Sequence, residues 1–110
     1  MADFGASIAA LESIIEQRAK AGDAEASYVA KLLHKGTLKI AQKLGEEAVE
    51  TALAAAAQPR EKVAEEAADL MFHLLVLLKS LDMSSADVAA VLESRHGTSG
   101  LDEKASRRPS

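Results

Sequence analysis

The chain reads as all-α, an antiparallel helical bundle. Hydrophobic residues make up 48% of it, but with one Tyr, two Phe and no Trp the interior has to be built from Ala, Leu, Val and Ile. Those residues recur every three or four positions, the helical repeat, and no stretch alternates apolar with polar as a half-buried strand does. A length of 110 residues makes one domain at most. It is placed over residues 1–97, with a C-terminal tail, 98–110, that lacks periodicity and is expected to be partly flexible.

Four main helices are predicted. The first covers about Ser7 to Lys20, with Ile8, Leu11, Ile14 and Ile15 on one face and Gly22-Asp23 ending it. A linker leads to Ser27, an N-cap for a short helical turn carrying Tyr28, Leu32 and Leu33. Gly36 then interrupts, and Thr37 is a second candidate cap. The next helix, Thr37 to Ala57, repeats Ala41, Leu44, Ala48, Ala52 and Ala55, small residues that let a neighbouring helix approach closely. Gln58-Pro59 stops it, and Pro59 suits the start of the following helix.

That third helix, about Arg60 to Leu81, contains LMFHLLVLL from Leu70 to Leu78, apolar on every side. The run is too short to span a bilayer, which takes about 20 residues. A helix apolar all round is buried all round. The other helices of a single chain can hardly cover it, so the bundle is expected to be completed by dimerisation with a second copy. Ser84 or Ser85 caps the fourth helix, which carries Val88, Val91 and Leu92 and ends at Gly97.

Composition removes several classes of function. Without cysteine there is neither a disulfide framework nor a thiolate metal site. A net charge of −4 is the opposite of the basic footprint that nucleic-acid binding needs. The opening MADFGASIAALE has no basic region and no long apolar core, so no secretory signal and no membrane association are expected, and the location reads as cytoplasmic.

The segment KLGEEAVETALAAAA, from Lys43 to Ala57, places Glu46, Glu47 and Glu50 within five residues, although like charges three or four apart on a helix repel. Glu47 and Glu50 form an E-x-x-E pair, and Glu66-Ala-Ala-Asp69 begins the next helix with a second. A short Pro-containing turn joins the two helices, so they should pack as an antiparallel hairpin with the pairs able to face each other. Glu66, Asp69 and His73 share a stripe that runs on into Leu77, and so enters a buried face. Unpaired buried charge is costly, and only Arg60 and Lys62 lie nearby in sequence. A bound metal resolves this. Oxygen ligands without cysteine suit a hard cation, Mg²⁺ or alternatively Mn²⁺. The Glu-x-x-His motif of di-iron bundles is missing, and His73 reads as a hydrogen-bonded core residue rather than a ligand.

Mg²⁺ commonly completes its shell with substrate phosphate. From Ala26 to Gly45 no acidic residue occurs, whereas Lys31, Lys35, Lys39 and Lys43 recur every four residues, with His34 among them. On a continuous helix these would form one cationic stripe, although Gly36 can break it. Segregation of sign this complete, beside an acidic groove, is the layout of a metal–polyphosphate site rather than of scattered solubilising charge.

The run Glu46-Glu47-x-x-Glu50, then fifteen residues, then Glu66-x-x-Asp69 resembles the EExxE…ExxD signature of the all-α nucleoside triphosphate pyrophosphatases, the MazG-like superfamily. Within that superfamily, SYVAKLLHKG (27–36), KLGEEAVE (43–50) with EAADLMFHLLVLL (66–78), and SGLDEKASR (99–107) are similar to the phosphoribosyl-ATP pyrophosphatases. The resemblance covers nearly the whole chain from Ser27 onward, and SYVAKL and EKASR set this family apart from its broader relatives. It implies hydrolysis of 1-(5-phosphoribosyl)-ATP to 1-(5-phosphoribosyl)-AMP and pyrophosphate with Mg²⁺, the second step of histidine biosynthesis. It further implies Glu47, Glu50, Glu66 and Asp69 as metal ligands, with Glu46 a further ligand or the group that orients the attacking water. Glu46, Glu47 and Glu50 are thus the expected catalytic acids. Ser27, Tyr28, Lys31, Lys35, Lys39 and Lys43 would hold phosphates and ribose, and Lys104 and Arg107 would close over the substrate. Two other readings stand beside this one: a house-cleaning pyrophosphatase for non-standard nucleoside triphosphates, and a dimeric helical interaction module whose acids are merely solvated.

Overall fold

The computed structural model describes residues 2–22 and 27–96, and every regular element within them is helical: α1 (Phe4–Ala21), α2 (Tyr28–Lys35), α3 (Thr37–Ala57), α4 (Arg60–Ser80) and α5 (Ser85–Ser94). Lys104 and Arg107 lie outside the described residues, as does the tail expected over 98–110.

Each helix boundary has a local cause. α1 starts three residues earlier than the apolar repeat suggested, because the Asp3 carboxylate accepts the Ala6 N–H at 3.0 Å and caps the helix there. It stops at Gly22, whose φ of 68° is left-handed and suits a residue without a Cβ. Ser27 caps α2 as expected, its hydroxyl oxygen accepting from Ala30 N–H at 3.2 Å. Gly36, at φ 94° and ψ 165°, separates α2 from α3. Thr37 does not cap α3; its hydroxyl instead donates to Ser80 Oγ at 3.0 Å, across to the far end of α4. The expected cap role fails because Thr37 is already inside the first turn, one residue past the break. α5 is held by a capping box between Ser84 and Asp87 and ends at Ser94, short of the expected Gly97.

α3 and α4 form the spine. Only Gln58 and Pro59 connect them, and Thr37 meets Ser80 at the opposite end, so the two 21-residue helices run antiparallel in register along their whole length. A core of Ile15, Val29, Leu32, Ile40, Leu75, Val76 and Leu78 seats α1 and α2 against one end of this hairpin. Truncating such a fully buried aliphatic to Ala costs about 2–5 kcal/mol.

The stripe that α3 buries is not the one read from its alanines. Ile40 and Ala54 are buried and Leu44, Glu47 and Thr51 half-buried, whereas Ala41, Ala48, Ala52 and Ala55 are exposed. On the opposite side of α3, Leu38 (87%), Val49 (58%) and Leu53 (60%) face outward. Ile14 of α1 and Val88, Val91 and Leu92 of α5 are likewise exposed rather than packed. An apolar groove of about 350 Å³ opens between α1, α4 and α5, lined by Phe4, Ile8, Met71, Leu74, Val88 and Leu92 among others.

Candidate active site

The antiparallel register carries Glu47, near the middle of α3, to the first half of α4. There one carboxylate oxygen from each of Glu47, Glu66 and Asp69 falls within 4.8 Å of the others. Glu47 is part of the buried stripe of α3, and Glu66 lies on the α4 face that turns inward towards His73, so both are half-buried while Asp69 stays exposed. Among the described residues the one cation at ion-pair distance is Lys62, one turn before Glu66 and 3.6 Å from its Oε1. Glu47 Oε2 and Glu66 Oε2 are each buried with no hydrogen-bond partner. Three converging carboxylates against one ammonium, with two buried oxygens that have no hydrogen-bond partner, form a donor set able to hold a cation. Hard oxygen ligands of this kind fit Mg²⁺ or Mn²⁺.

The remaining predicted acids lie outside this group. Glu50, one turn beyond Glu47, is exposed and is not among the three that converge. Glu46 points to the side, where its carboxylate accepts from Gln42 Nε2 at 3.1 Å and faces Lys43 Nζ at 4.0 Å. So the structure brings together three of the four acids expected as ligands, and occupies Glu46 elsewhere on its own helix.

The basic residues divide at Gly36. Lys31 and Lys35 are exposed on α2, while Lys39 and Lys43 are half-buried on α3, and the left-handed φ at Gly36 prevents one continuous stripe. Tyr28 stands at the start of α2, about half exposed, and its ring stacks on Phe72 with centroids 5.8 Å apart.

His73 is 5% exposed and spends both ring nitrogens on protein partners: Nδ1 lies 2.8 Å from the Asp69 carbonyl oxygen and Nε2 lies 3.1 Å from the Tyr28 hydroxyl. It is therefore a hydrogen-bonded core residue and joins α2 to the acid-bearing turn of α4. No spacing in the sequence signals this link, since Tyr28 and His73 are 45 residues apart.

The family model for phosphoribosyl-ATP pyrophosphohydrolase matches residues 8–96, which include every acid of the cluster. The chain belongs to that family. Relatives named phosphoribosyl-ATP pyrophosphatase include those of Novosphingobium aromaticivorans, 54% identical over 96% of this chain and 97% of the relative, and Rhizorhabdus wittichii, 60% identical over 88% and 91%. A third, from Sphingopyxis alaskensis, is 52% identical over 94% and 95%. Such coverage spans the α3–α4 hairpin together with the helices that brace it.

Proposed function

We propose that the protein hydrolyses 1-(5-phosphoribosyl)-ATP to 1-(5-phosphoribosyl)-AMP and pyrophosphate, the second step of L-histidine biosynthesis, in the cytoplasm. The observation that carries the reading is the trio Glu47, Glu66 and Asp69 with its two orphaned oxygens, in a chain of the pyrophosphohydrolase family. Glu47, Glu66 and Asp69 would hold Mg²⁺, which when bound neutralises phosphate oxygens and activates water for attack.

The chain's own residues supply the rest. Glu50, exposed one turn from Glu47, would accept a proton from the attacking water; its support is that Glu46 is engaged by Gln42 and Lys43. Lys39 and Lys43 on α3, with Lys31 and Lys35 on α2, offset the charge of the polyphosphate, which is most of what phosphoryl transfer asks of a protein. The hydroxyl of Ser27 accepts from Ala30 N–H and keeps its own proton to donate to the substrate.

Incubation with phosphoribosyl-ATP and Mg²⁺, followed by phosphorus NMR, should show pyrophosphate and the mononucleotide appearing together. Orthophosphate appearing first, alongside a diphosphate nucleotide, would refute cleavage at the α–β bond. Faster turnover of non-standard nucleoside triphosphates would move the assignment to the house-cleaning reading.

The working unit in this reading is a homodimer. Its support is the outward face of α3 at Leu38, Val49 and Leu53, with the open groove beside Met71 and Leu74 of α4. Sedimentation equilibrium should give twice the chain mass at micromolar concentration, and a folded monomer there contradicts it.

A further inference from the structure

Tyr28 and His73 fix a hydrogen-bond polarity beside the acid-bearing turn of α4. A carbonyl oxygen can only accept, so the 2.8 Å contact between His73 Nδ1 and the Asp69 carbonyl requires the proton on Nδ1. In the neutral ring Nε2 then carries only a lone pair, and the 3.1 Å contact with Tyr28 is the phenol donating to Nε2. A tyrosine hydroxyl has one proton to give. With that proton committed to His73, the phenol oxygen offers only lone pairs to anything that approaches the exposed half of Tyr28. The ring cannot easily swing away to change this, because it is stacked on Phe72, itself edge-on to His73 with centroids 5.1 Å apart.

Resting on the substrate reading above, we propose that Tyr28 recognises a hydroxyl of the substrate's sugar and not a phosphate oxygen, a polarity imposed by His73 as a positioning residue. Phosphate oxygens at neutral pH are acceptors and would meet the lone pairs of Tyr28 unfavourably. The sugar hydroxyls are donors and complement it. The surroundings divide the labour: the lysines of α2 and α3 take the anionic chain, and the aromatic corner of Tyr28, Phe72 and His73, which bears no formal charge in this state, takes the sugar.

Two measurements test this, one of them without substrate. Nitrogen NMR of the labelled protein should show His73 with Nδ1 protonated and Nε2 bare, and the Nε2 resonance should move in Tyr28→Phe. A ring protonated at Nε2 overturns the polarity while leaving the substrate reading intact. In steady-state assays, Tyr28→Phe should raise KM for phosphoribosyl-ATP by roughly three- to tenfold, the scale of one neutral hydrogen bond, with kcat nearly unchanged. The same variant should lose nothing further on the deoxy analogue that lacks the recognised hydroxyl. His73→Gln, which restores an acceptor, should retain more of the discrimination between parent and deoxy substrates than His73→Leu. If Tyr28→Phe weakens every deoxy analogue as much as the parent, the sugar assignment falls. If it changes neither KM nor kcat, Tyr28 stands outside the site. Failure of the substrate reading itself would show as no pyrophosphate release by the unaltered protein.

Discussion

Two groups of carboxylates in this bundle are treated in opposite ways by their surroundings. On α1, Glu12 accepts from the backbone N–H of Ser85 at 2.7 Å and from its hydroxyl at 2.5 Å, tying α1 to the start of α5. One turn on, Glu16 pairs with Lys79 at 2.5 Å. Across the molecule, Glu47 and Glu66 each keep a buried oxygen with no partner, and Asp69 is drawn towards them. The fold is plainly able to satisfy its acids where they serve only to join helices. Here one oxygen of each of two half-buried carboxylates has no partner, although Lys62 pairs with the other oxygen of Glu66, and this contrast is what supports the metal-site proposal.

The sharpest way to break this contrast is to neutralise one member of each group. Glu66→Gln should lower activity more than about a hundredfold, beyond the range seen when only the groups supporting a metal ligand are changed. With chelator present it should melt at the same temperature as the parent or higher, because it relieves repulsion within the trio, and added Mg²⁺ should no longer stabilise it. A chelated variant that melts lower and still turns over substrate would make the trio an ordinary structural cluster.

Glu12→Gln should do the reverse. Activity should stay within about a factor of two, while stability falls by about 1.5–3 kcal/mol, the range for a hydrogen bond to a charged group. Thermal melts with and without Mg²⁺ check both halves, and Mg²⁺ should stabilise this variant as much as it does the parent. An activity loss comparable to that of Glu66→Gln would dissolve the distinction between the two regions.

The smallest effect concerns Glu16. Its hydrogen bond with Lys79, opposed by desolvation and helped by the charges of Lys79 and Lys20, holds its carboxyl below the ordinary value of 4.5. A depressed value in the folded state means the pair's contribution is complete above the ordinary carboxylate range and disappears as pH falls through the folded value. The melting difference between parent and Glu16→Gln should therefore be small and positive at neutral pH, begin to shrink as pH falls below about 4.5, and close once pH has passed below the folded value. Both side chains are partly exposed, so added salt should shrink it further. A difference that persists unchanged into acid would mean Glu16 acts through packing rather than charge.

Much of this architecture could be read in the residues themselves, and the errors have physical reasons. The limits of α3 and the start of α4 were legible because Gly36 and Pro59 are unambiguous interruptions. The start of α1 was not, because apolar periodicity is silent about Asp3, whose effect is a single hydrogen bond. The inward stripe of α3 was misread for a more instructive reason. Alanine is small enough to be indifferent to burial, so its repeat carried no information. The true stripe of Ile40, Leu44, Glu47, Thr51 and Ala54 is interrupted by a charge and a hydroxyl. The acid that hides the pattern is the one the site needs. Thr51 escapes penalty by donating to the Glu47 carbonyl at 2.8 Å, whereas the Glu47 carboxylate has no such outlet. Clustering of the acids was visible in sequence, but which three converge depends on the rotation of two helices about their axes, and Glu46 and Glu50 differ from Glu47 only in that angle.

The two-residue connection at Gln58-Pro59 also lowers the entropic cost of assembling the trio. Glu47 and Asp69 are 22 positions apart along the chain, whereas Glu12 and Ser85 are separated by 73. Loop-closure entropy grows with the logarithm of that separation, so bringing the first pair together is easier by about 1 kcal/mol, before any advantage from a turn already stiffened by proline. The acidic trio thus sits on the pair of helices whose closure costs the chain less, whereas the contact of Glu12 with Ser85 closes the longer loop.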